Sequence, residues 1–409
     1  MALRFEETMT AFDGLIRPER AAISPIGTAA LATVCGVVAA GSYFAQPLES
    51  EIARDLAMPA SMAGLVVTVG QIGYVFGLLF VGPLGDLVRS RRLLLAVMAV
   101  SALSLACAAV AQSGVAFLMA CFGIGASAVV VQLLVAMTAA MSPENRRGMG
   151  VGTVTGGLLI GILLAWPVAT VVSGAIGWRA LYALDAAVVG LAAAALGLGL
   201  PDRRPVGARS YRVLVSSLSG LVANTPELRR RAFVQALLFC GFSLFWTAVP
   251  LELVQHYHLS PRDFALFGLL GGLGAFIAPL AGRLADRGFG RWVGQAGVVA
   301  MVAAFGLALA FHSVWLLAFA AALLDGGVQA NLVISQRQLL SMDDATGNRL
   351  NSLFVAMFFL GGALGSALAA PLFQLGWSTV AIAGVAAGLL ALIASVIRTS
   401  PSLKGENNV

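Results

Sequence analysis

Charged residues are scarce in this sequence. They make up 11% of its 409 residues, while hydrophobic residues make up 59%; a soluble domain carries roughly 25% charged residues. This deficit excludes an ordinary soluble domain and predicts a chain that lies mostly within a lipid bilayer. The formal net charge of +6 does not indicate nucleic-acid binding, because the positive residues fall in short segments between apolar runs.

Histidine and cysteine are also rare, with three and four residues. The four cysteines lie in apolar runs without the spacing of metal ligands, so we expect neither a metal site nor a cofactor. A membrane hydrolase or transferase would need clustered His, Asp and Glu near one interface. The sequence has no such cluster and no HExxH, GxSxG or phosphate-loop motif, so we expect a protein that is not an enzyme.

Long apolar runs are what the sequence has in abundance. A membrane-spanning helix needs about 20 apolar residues, and the gaps between charged residues predict an all-α membrane protein with twelve spans. Six spans precede a polar segment and six follow it. The predicted domains are therefore a six-helix bundle at 1–200, a cytoplasmic linker at 201–230 and a second six-helix bundle at 231–409. Within the linker, residues 209–223 are expected to form an amphipathic helix on the membrane surface.

Positive residues are divided unevenly between the two sides of the predicted bundle. One side holds Arg54, Arg179 and Arg262, and the other, with both termini, holds the remaining 22 of 25 lysines and arginines. Because loops that stay in the cytoplasm are rich in these residues, both termini are predicted to be cytoplasmic. Residues 1–20 contain no short apolar core, so no cleaved signal peptide is expected.

Landmarks of the first half recur in the second half at an offset of 199 to 202 residues. This register predicts two bundles of similar fold, related by an axis along the membrane normal. The repeated landmarks are Asp86 with Asp286, Gly177-Trp178 with Gly376-Trp377, and Arg147 with Arg349.

Two repeated segments resemble the signature loop of the major facilitator superfamily, which reads roughly Gly-x-Leu-Ala-Asp-Arg-x-Gly-Arg-Arg between helices 2 and 3. The first copy, GPLGDLVRSRR, departs from this pattern at Leu87, Arg89 and Ser90, and the second is GRLADRGFGR. The stretches RRGMGVGTVTGGLLIGILLAW, LLDGGVQ and NRLNSLF are similar to a bacterial drug- and sugar-efflux group, often labelled arabinose-efflux-permease-like. The resemblance covers nearly the whole chain and implies two pseudo-symmetric six-helix bundles in the bacterial inner membrane.

The resemblance implies a secondary active transporter that moves a small molecule by alternating access. Proton-coupled efflux is the first interpretation, and an uptake symporter or an uncoupled facilitator is the alternative. A receptor or a channel is disfavoured, because the duplicated six-helix unit is typical of alternating access. The expected partners are a small-molecule substrate, protons and the lipid bilayer, with no nucleic acid, and the expected state is a monomer.

The signature loop predicts a cytoplasmic gate where the two bundles meet. Gly82 and Gly85 are expected to let two helices approach closely. Asp86 lies at a helix C-terminus, where the dipole disfavours an anion, so it needs a positive partner. The alternative is that the arginines only set topology and the loops only form turns. The remaining gate candidates are Arg89, Arg91 and Arg92 in the first copy, Gly282, Asp286, Arg287 and Arg291 in the second, and the region near Asn348 and Arg349.

Asp325 is the main candidate for a site inside the membrane, where an ionisable residue is costly unless it has a partner or a function. It lies about 12 residues into predicted span 10, roughly 18 Å from the start of the helix. Gln329 and Gln336 follow on the same helical face, so the stripe predicts a cavity wall. The alternative is a carboxylate paired with a neighbouring helix for packing. If protons drive transport, Asp325 is the acid we expect to carry them, because span 1 has no acid before Glu49.

Further cavity candidates are polar or aromatic residues near the middle of other spans, and the resemblance implies that spans 1, 4, 7 and 10 line the cavity. For each of them the alternative is an interhelical hydrogen bond. For Asp185, in span 6, both a paired and a water-exposed state stay open. The candidates are Tyr43, Gln46, Gln71, Tyr74, Gln132, Gln235 and Trp246.

Predicted span 5 carries a glycine-rich run that ends near Trp166 and Pro167, where the proline removes a backbone hydrogen bond and permits a bend. Exporters of the superfamily often have a glycine-rich element here that ends in Gly-Pro and then Gly-Gly. In this chain Trp166 precedes the proline and Thr170 begins the pair at the closing position. The run has two interpretations, an antiport signature or tight helix packing around Gly152, Gly156, Gly157 and Gly161.

Overall fold

The computed structural model describes residues 24–59, 64–143, 146–200, 210–259, 261–272, 274, 277–342 and 347–396. The described chain is predominantly helical. The first half contains α1 (Pro25–Tyr43), α2 (Ala45–Asp55), α3 (Leu65–Phe76), α4 (Ser90–Ala109), α5 (Gly114–Ser127), α6 (Val130–Met141), α7 (Arg147–Ile176) and α8 (Trp178–Gly199). The second half contains α10 (Pro226–Gln255), α11 (Pro261–Gly272), α12 (Ile277–Leu284), α13 (Gly290–Ala310), α14 (Val314–Leu340), α15 (Gly347–Gln374) and α16 (Trp377–Val396), and α9 (Tyr211–Asn224) lies between the halves.

Eleven segments of the described residues are long and apolar enough to cross a membrane. The span predicted at 263–282 coincides with two shorter helices, α11 and α12, and the residues at 273, 275 and 276 lie outside the described part. The all-α membrane fold is therefore confirmed, and the count of twelve stays a prediction. Inside the predicted linker, α9 confirms the helix expected at 209–223, and α10 begins at Pro226, before the predicted end of the linker.

Several spans are broken by identifiable local causes. Between α1 and α2 the helix is interrupted at Phe44, and Pro47 in the first turn of α2 has no N–H to bond back to Tyr43. The helix that starts with α3 widens into a π-turn over Gly77–Val81 and then tightens into a 3-10 turn over Gly82–Asp86. These breaks change the direction of side chains near the middle of the bundle and at one end.

Each half repeats the same helix pairings. In the first half α1 packs against α7, α3 against α5 and α4 against α8; in the second half the matching pairs are α10 with α15, α11 and α12 with α14, and α13 with α16. Small residues allow these crossings, because a Cβ added at Gly161 would overlap the carbonyl oxygen of Gly36, and one at Gly365 would overlap that of Cys240. The duplication seen in the sequence is thus present in the packing.

The repeated Gly-Trp landmarks form equivalent turns. Gly177 and Gly376 have φ angles of 84° and 108°, which glycine adopts without a Cβ clash. The tryptophan that follows each glycine then donates its indole N–H: Trp178 to Asp55 Oδ2 at 2.9 Å, and Trp377 to the carbonyl of Ala308 at 3.0 Å. Each turn is thus held by a hydrogen bond to another helix of its own half.

The two halves meet along α3 with α15 and along α7 with α11. We call the end of the bundle with the described loop residues 56–59, 64, 110–113, 177, 256–259, 311–313 and 375–376 the arginine-poor end, and the opposite end the arginine-rich end. Close to the arginine-poor end, the Ser366 hydroxyl donates to the carbonyl of Gly64 at 3.0 Å, and the Thr68 hydroxyl donates to that of Ala363 at 3.3 Å. We call these contacts the arginine-poor seam; the molecule is closed there.

The arginine-rich end is packed differently. Leu79 and Phe80 of the first half and Leu353 and Met357 of the second line a cavity of about 330 Å³, and α9 forms its third wall. The Tyr211 hydroxyl donates to the carbonyl of Phe80 at 3.0 Å and so ties α9 to the first half. The halves thus contact each other directly through hydroxyl–carbonyl hydrogen bonds at the arginine-poor end, and the linker helix α9 joins them at the arginine-rich end.

Candidate functional site

Asp325 lies at the centre of the molecule. It is the twelfth residue of the 27-residue helix α14, and its side chain is 8% exposed. Its Oδ1 accepts a hydrogen bond from the indole Nε1 of Trp246 on α10 at 2.8 Å, and Gly274 packs closely against its Cβ. The hydrogen-bond partner of this carboxyl group is a neutral donor, and no described residue forms an ion pair with it, so none of them would compensate a negative charge here.

A row of side chains links Asp325 to the other half of the molecule. The Trp246 ring lies edge-on to the Trp166 ring, with 4.8 Å between the centroids and 75° between the planes. The Trp166 indole in turn donates to Gln46 Oε1 at 3.2 Å. A continuous path of four side chains therefore crosses the interface, in the order Gln46, Trp166, Trp246 and Asp325. The sequence predicts three of them as cavity residues and Trp166 as part of the bend in span 5.

A second group of predicted residues meets beside this row. Gln132 donates to the Tyr74 hydroxyl at 3.2 Å, and Gln71 donates to the Ser243 hydroxyl of the other half at 2.9 Å. Tyr43, at the end of α1, is half-buried and packs against the same hydrophobic core as Tyr74. The structure thus brings side chains from α1, α3, α6, α10 and α14 together between the two bundles.

An aromatic wall completes the centre and was missed in the sequence. The Phe239 ring stacks on the Phe242 ring at 5.2 Å, and it also contacts Phe359, whose ring meets Tyr74 at 4.6 Å. Phe239, Phe242 and Trp246 are spaced at i, i+3 and i+7, so they share a helical face. That spacing is the feature of the sequence that indicates an aromatic wall. It does not identify a site by itself, because an aromatic stripe on a helix more commonly belongs to an ordinary hydrophobic core.

Other cavity candidates do not join this centre. Gln235 is fully buried and donates to the carbonyl of Val328 at 3.3 Å, as the hydrogen-bond alternative describes. Gln329 and Gln336 are half-buried on α14, and the described part of the chain offers them no hydrogen-bond partner. The polar stripe beyond Asp325 is therefore present on the helix, without a hydrogen bond to the central group among the described residues.

The gate candidates of the second half have a partner that the sequence did not indicate. Asp286 forms an ion pair with Arg337 at the end of α14, and Arg337 also contacts the carbonyl of Gly282. Arg287 and Arg291 are exposed. In this conformation the acid is held within its own half.

The first-half gate contains one correction. A Cβ added at Gly82 or Gly85 would meet its nearest atom at 3.9 Å or 3.6 Å, which is ordinary contact, so these glycines do not permit a close approach. They lie in the 3-10 turn, beyond the part of the helix that runs along α5. The close approach is at Gly73 and Gly77, next to carbonyl oxygens of α5.

Arginine side chains of this loop surround the start of α4. Arg89 precedes the helix and has a contact partner, Arg91 is half-buried and Arg92 is exposed. The backbone of Asp86 ends the 3-10 turn, at the helix C-terminus expected for it. Its side chain lies outside the described residues.

The glycine-rich run of α7 packs tightly at two of its four positions. Gly157 and Gly161 lie against the backbone of α1, whereas Gly152 and Gly156 have no atom within 4 Å of an added Cβ. The helix continues through Pro167 without a break, from Arg147 to Ile176. Tight packing is thus part of the role of this run, and Trp166 extends from the same helix into the centre.

Two further acids of the first half are buried. Asp185 is 7% exposed and lies against Gly41 of α1, and Glu49 is 2% exposed. Asp185 Oδ2 and both carboxylate oxygens of Glu49 have no hydrogen-bond partner among the described residues. Within those same ranges no group of three or more His, Cys, Asp and Glu side chains is placed to hold a metal ion.

Sequence comparison finds related proteins whose alignments extend over both halves of this chain. The Escherichia coli O157:H7 protein called uncharacterized transporter YgaY is 34% identical over 375 residues, covering 91% of this chain and 95% of the relative. A probable transporter of Streptomyces coelicolor, SCO4007, is 35% identical over 389 residues, covering 90% of this chain and 88% of the relative.

Solved structures share the fold at low identity. A point mutant of the nucleoside transporter NupG superposes with a TM-score of 0.73 at 14% identity, covering 90% of this chain and 98% of that one. A bacterial homologue of the human lysosomal transporter Spinster, in an inward-facing and occupied conformation, gives a TM-score of 0.71 at 14% identity, with coverage of 90% and 94%. The family profile described as Major Facilitator Superfamily matches residues 31–230 and 231–408. This chain is therefore a membrane transporter that belongs to the Major Facilitator Superfamily.

Proposed function

We propose that this transporter exports a small molecule across the bacterial cytoplasmic membrane in exchange for protons. The single observation that carries the proposal is Asp325, a carboxyl group at mid-depth between the two bundles whose hydrogen-bond partner is neutral. A buried acid without a cation is stable only if it binds a proton or a positive ligand. Such a group can exchange one for the other in each transport cycle.

Alternating access assigns roles to the contacts between the halves. Opening the arginine-poor end requires the Ser366–Gly64 and Thr68–Ala363 hydrogen bonds to break and the Trp166 and Trp246 rings to part. Closing the arginine-rich end requires the walls of the 330 Å³ cavity to approach each other. Asp325 is then reached from one side or the other, and the gate residues around Asp86 and Asp286 would close the arginine-rich side.

Two separate arguments support the proposed orientation in the membrane and the proposed direction of transport. The positive-inside rule assigns the arginine-rich end, with both termini, to the cytoplasm. The segments similar to the arabinose-efflux-permease-like group favour export over uptake. We further propose that the carrier works as a monomer, because one chain contains both bundles and the whole central site.

Everted membrane vesicles test the exchange directly. A fluorescent dye reports the pH gradient while drugs, sugars and metabolites are added one at a time. We expect at least one compound to collapse the gradient in the wild type but not in Asp325→Asn. Asp185→Asn, the same change at a buried acid of the first half away from the centre, is the matched control and keeps the response.

The alternatives give different results in the same vesicles. Unchanged proton-linked flux in Asp325→Asn would remove this residue from the mechanism. Transport of a labelled compound without any proton movement would indicate an uncoupled facilitator. Proton and substrate moving in the same direction would indicate an uptake symporter.

A further inference from the structure

Glu49 is a carboxyl group that the proposed cycle does not use and that is buried without a partner. Its side chain is 2% exposed, and neither of its oxygens has a hydrogen-bond partner among the described residues. Removing an unpaired carboxylate from water costs more free energy than a folded protein has in reserve, so such a group is neutral. In this conformation Glu49 therefore carries a proton.

Charged groups on the neighbouring elements do not compensate Glu49. Its helix, α2, packs against α3, α7 and α10. Among the described residues, neither carboxylate oxygen of Glu49 has a hydrogen-bond partner, and no ion pair involves it, so burial dominates its environment. Glu252 on α10 has its Oε2 2.8 Å from His256 Nδ1, and Glu227, at the other end of α10, is paired with Arg230 and Arg231. The other ionisable residues on the packed elements are Tyr74 on α3, Arg147 at the far end of α7, and Arg229 and Cys240 on α10.

The other ionisable groups of α2 are already engaged elsewhere. Glu51 accepts a hydrogen bond from the Ser173 hydroxyl at 3.0 Å. Asp55 accepts one from Trp178 and lies 3.5 Å from the Arg179 guanidinium. Arg54 is directed to Asp55, with 3.8 Å between Nε and Oδ1. Glu49 is thus the acid of this helix that has no described partner.

The position of Glu49 couples it to the arginine-poor seam. It follows Gln46 by three residues and shares its helical face, and Gln46 accepts the hydrogen bond of Trp166. The helix itself packs against α10 of the other half. Opening the seam separates α2 from α10 and admits water to this face, where a glutamate ionises at neutral pH.

We propose that Glu49 is a second proton-binding site, which takes up one proton from the arginine-poor side as that end closes and returns it when the end reopens. The proton enters and leaves on the same side, so none crosses the membrane through Glu49. Because the closed form binds one proton more than the open form, lowering the pH favours closure. The proposal rests on the alternating access of the proposed function but needs neither its substrate nor proton exchange at Asp325.

The test measures the opening of the seam itself. Gln112→Cys and Ser378→Cys place spin labels on exposed positions of opposite halves at the arginine-poor end, in a variant that lacks the four native cysteines. Double electron–electron resonance then gives the fraction of open molecules between about pH 5 and about pH 9. In the labelled protein that keeps Glu49, we expect the ratio of open to closed molecules to rise by up to about tenfold for each unit by which the pH increases.

Two variants assign the response. Glu49→Gln keeps the size of the side chain and cannot ionise, so it should stay closed at every pH. Glu51→Gln, the matched control on the same helix, should respond like the wild type. The proposal is overturned if Glu49→Gln retains the wild-type pH response. It is also overturned if the wild type shows no pH response, and this measurement does not depend on whether Glu49→Gln folds. Because no substrate is added, failure here is distinct from failure of proton exchange at Asp325.

Discussion

At the scale of single residues, the central carboxyl group is positioned by a tryptophan and not by a cation. The Trp246 indole holds Asp325 Oδ1 at 2.8 Å and at the same time contacts the Trp166 ring of the other half. The Trp246 side chain thus orients the carboxyl group of Asp325 and also forms part of the contact between the two bundles. A change in the distance between the bundles moves the hydrogen-bond donor of Asp325.

Trp246→Phe should lower stability and slow transport. The change removes the N–H donor and leaves Asp325 Oδ1 buried without its bond, which costs about 1–3 kcal/mol. Trp315→Phe is the control, because Trp315 is 71% exposed on the same bundle. Thermal unfolding of the purified variants, followed by tryptophan fluorescence, measures the effect. Equal melting temperatures of the two variants would show that the hydrogen bond contributes little.

The sequence identified Asp325 because a lone carboxyl group in an apolar span is easily recognised, and its mid-depth position follows from counting residues. It did not identify the row from Gln46 to Asp325. Trp166 and Trp246 are in different halves, and their contact depends on how α7 and α10 cross the interface. No periodicity within a single helix contains that information.

At the scale of helices, backbone contact decides which glycines matter. Gly157 and Gly161 of α7 lie against the backbone of α1, and Gly361 and Gly365 of α15 lie against that of α10. These are equivalent crossings of the two halves. The sequence predicted tight packing for the first pair but also for Gly82 and Gly85, where it is absent because the chain turns into a 3-10 segment after Gly77–Val81.

Gly161→Ala should destabilise the protein, whereas Gly156→Ala should not. An added methyl group at Gly161 overlaps the carbonyl of Gly36, and overpacking costs about 1–3 kcal/mol. At Gly156 no atom lies within 4 Å of the new Cβ, and alanine favours the helix. The yield of monodisperse protein and its melting temperature measure both variants. Similar losses in the two would contradict the crossing geometry.

At the scale of the whole molecule, the two bundles form one closed seam. The contacts of α3 with α15 and of α7 with α11 are equivalent under the internal duplication. Where α3 meets α15, two hydrogen bonds of the arginine-poor seam each join one hydroxyl group to a backbone carbonyl. Such a seam can open without exposing a large set of unpaired polar groups.

A disulfide across the seam should stop transport. Thr68→Cys with Ala363→Cys joins the halves where the Thr68 hydroxyl meets the Ala363 carbonyl. In a variant free of native cysteines, oxidation should abolish flux in the vesicle assay, and a reducing agent should restore it. Each single-cysteine variant is the control for oxidation. Full activity of the cross-linked protein would show that this end does not need to open.

The assignment of the two ends to the two sides of the membrane is testable in whole cells. If the arginine-rich end is cytoplasmic, a membrane-impermeant maleimide should label Gln112→Cys from outside and should fail to label Arg291→Cys until the cells are lysed. Both positions are exposed. The reverse pattern of labelling would contradict the predicted orientation of the two ends.

The glycine crossings also have a mechanical consequence. Where backbone meets backbone, there is no flexible side chain to absorb a displacement, so α1 with α7 and α10 with α15 behave as stiff struts within their halves. Contacts between the halves include a pair of rings and single hydroxyl–carbonyl hydrogen bonds, which can separate without a rearrangement inside either half. A displacement caused by a ligand at the centre would therefore move each half largely as a unit, and the contacts between the halves are where the change would be greatest.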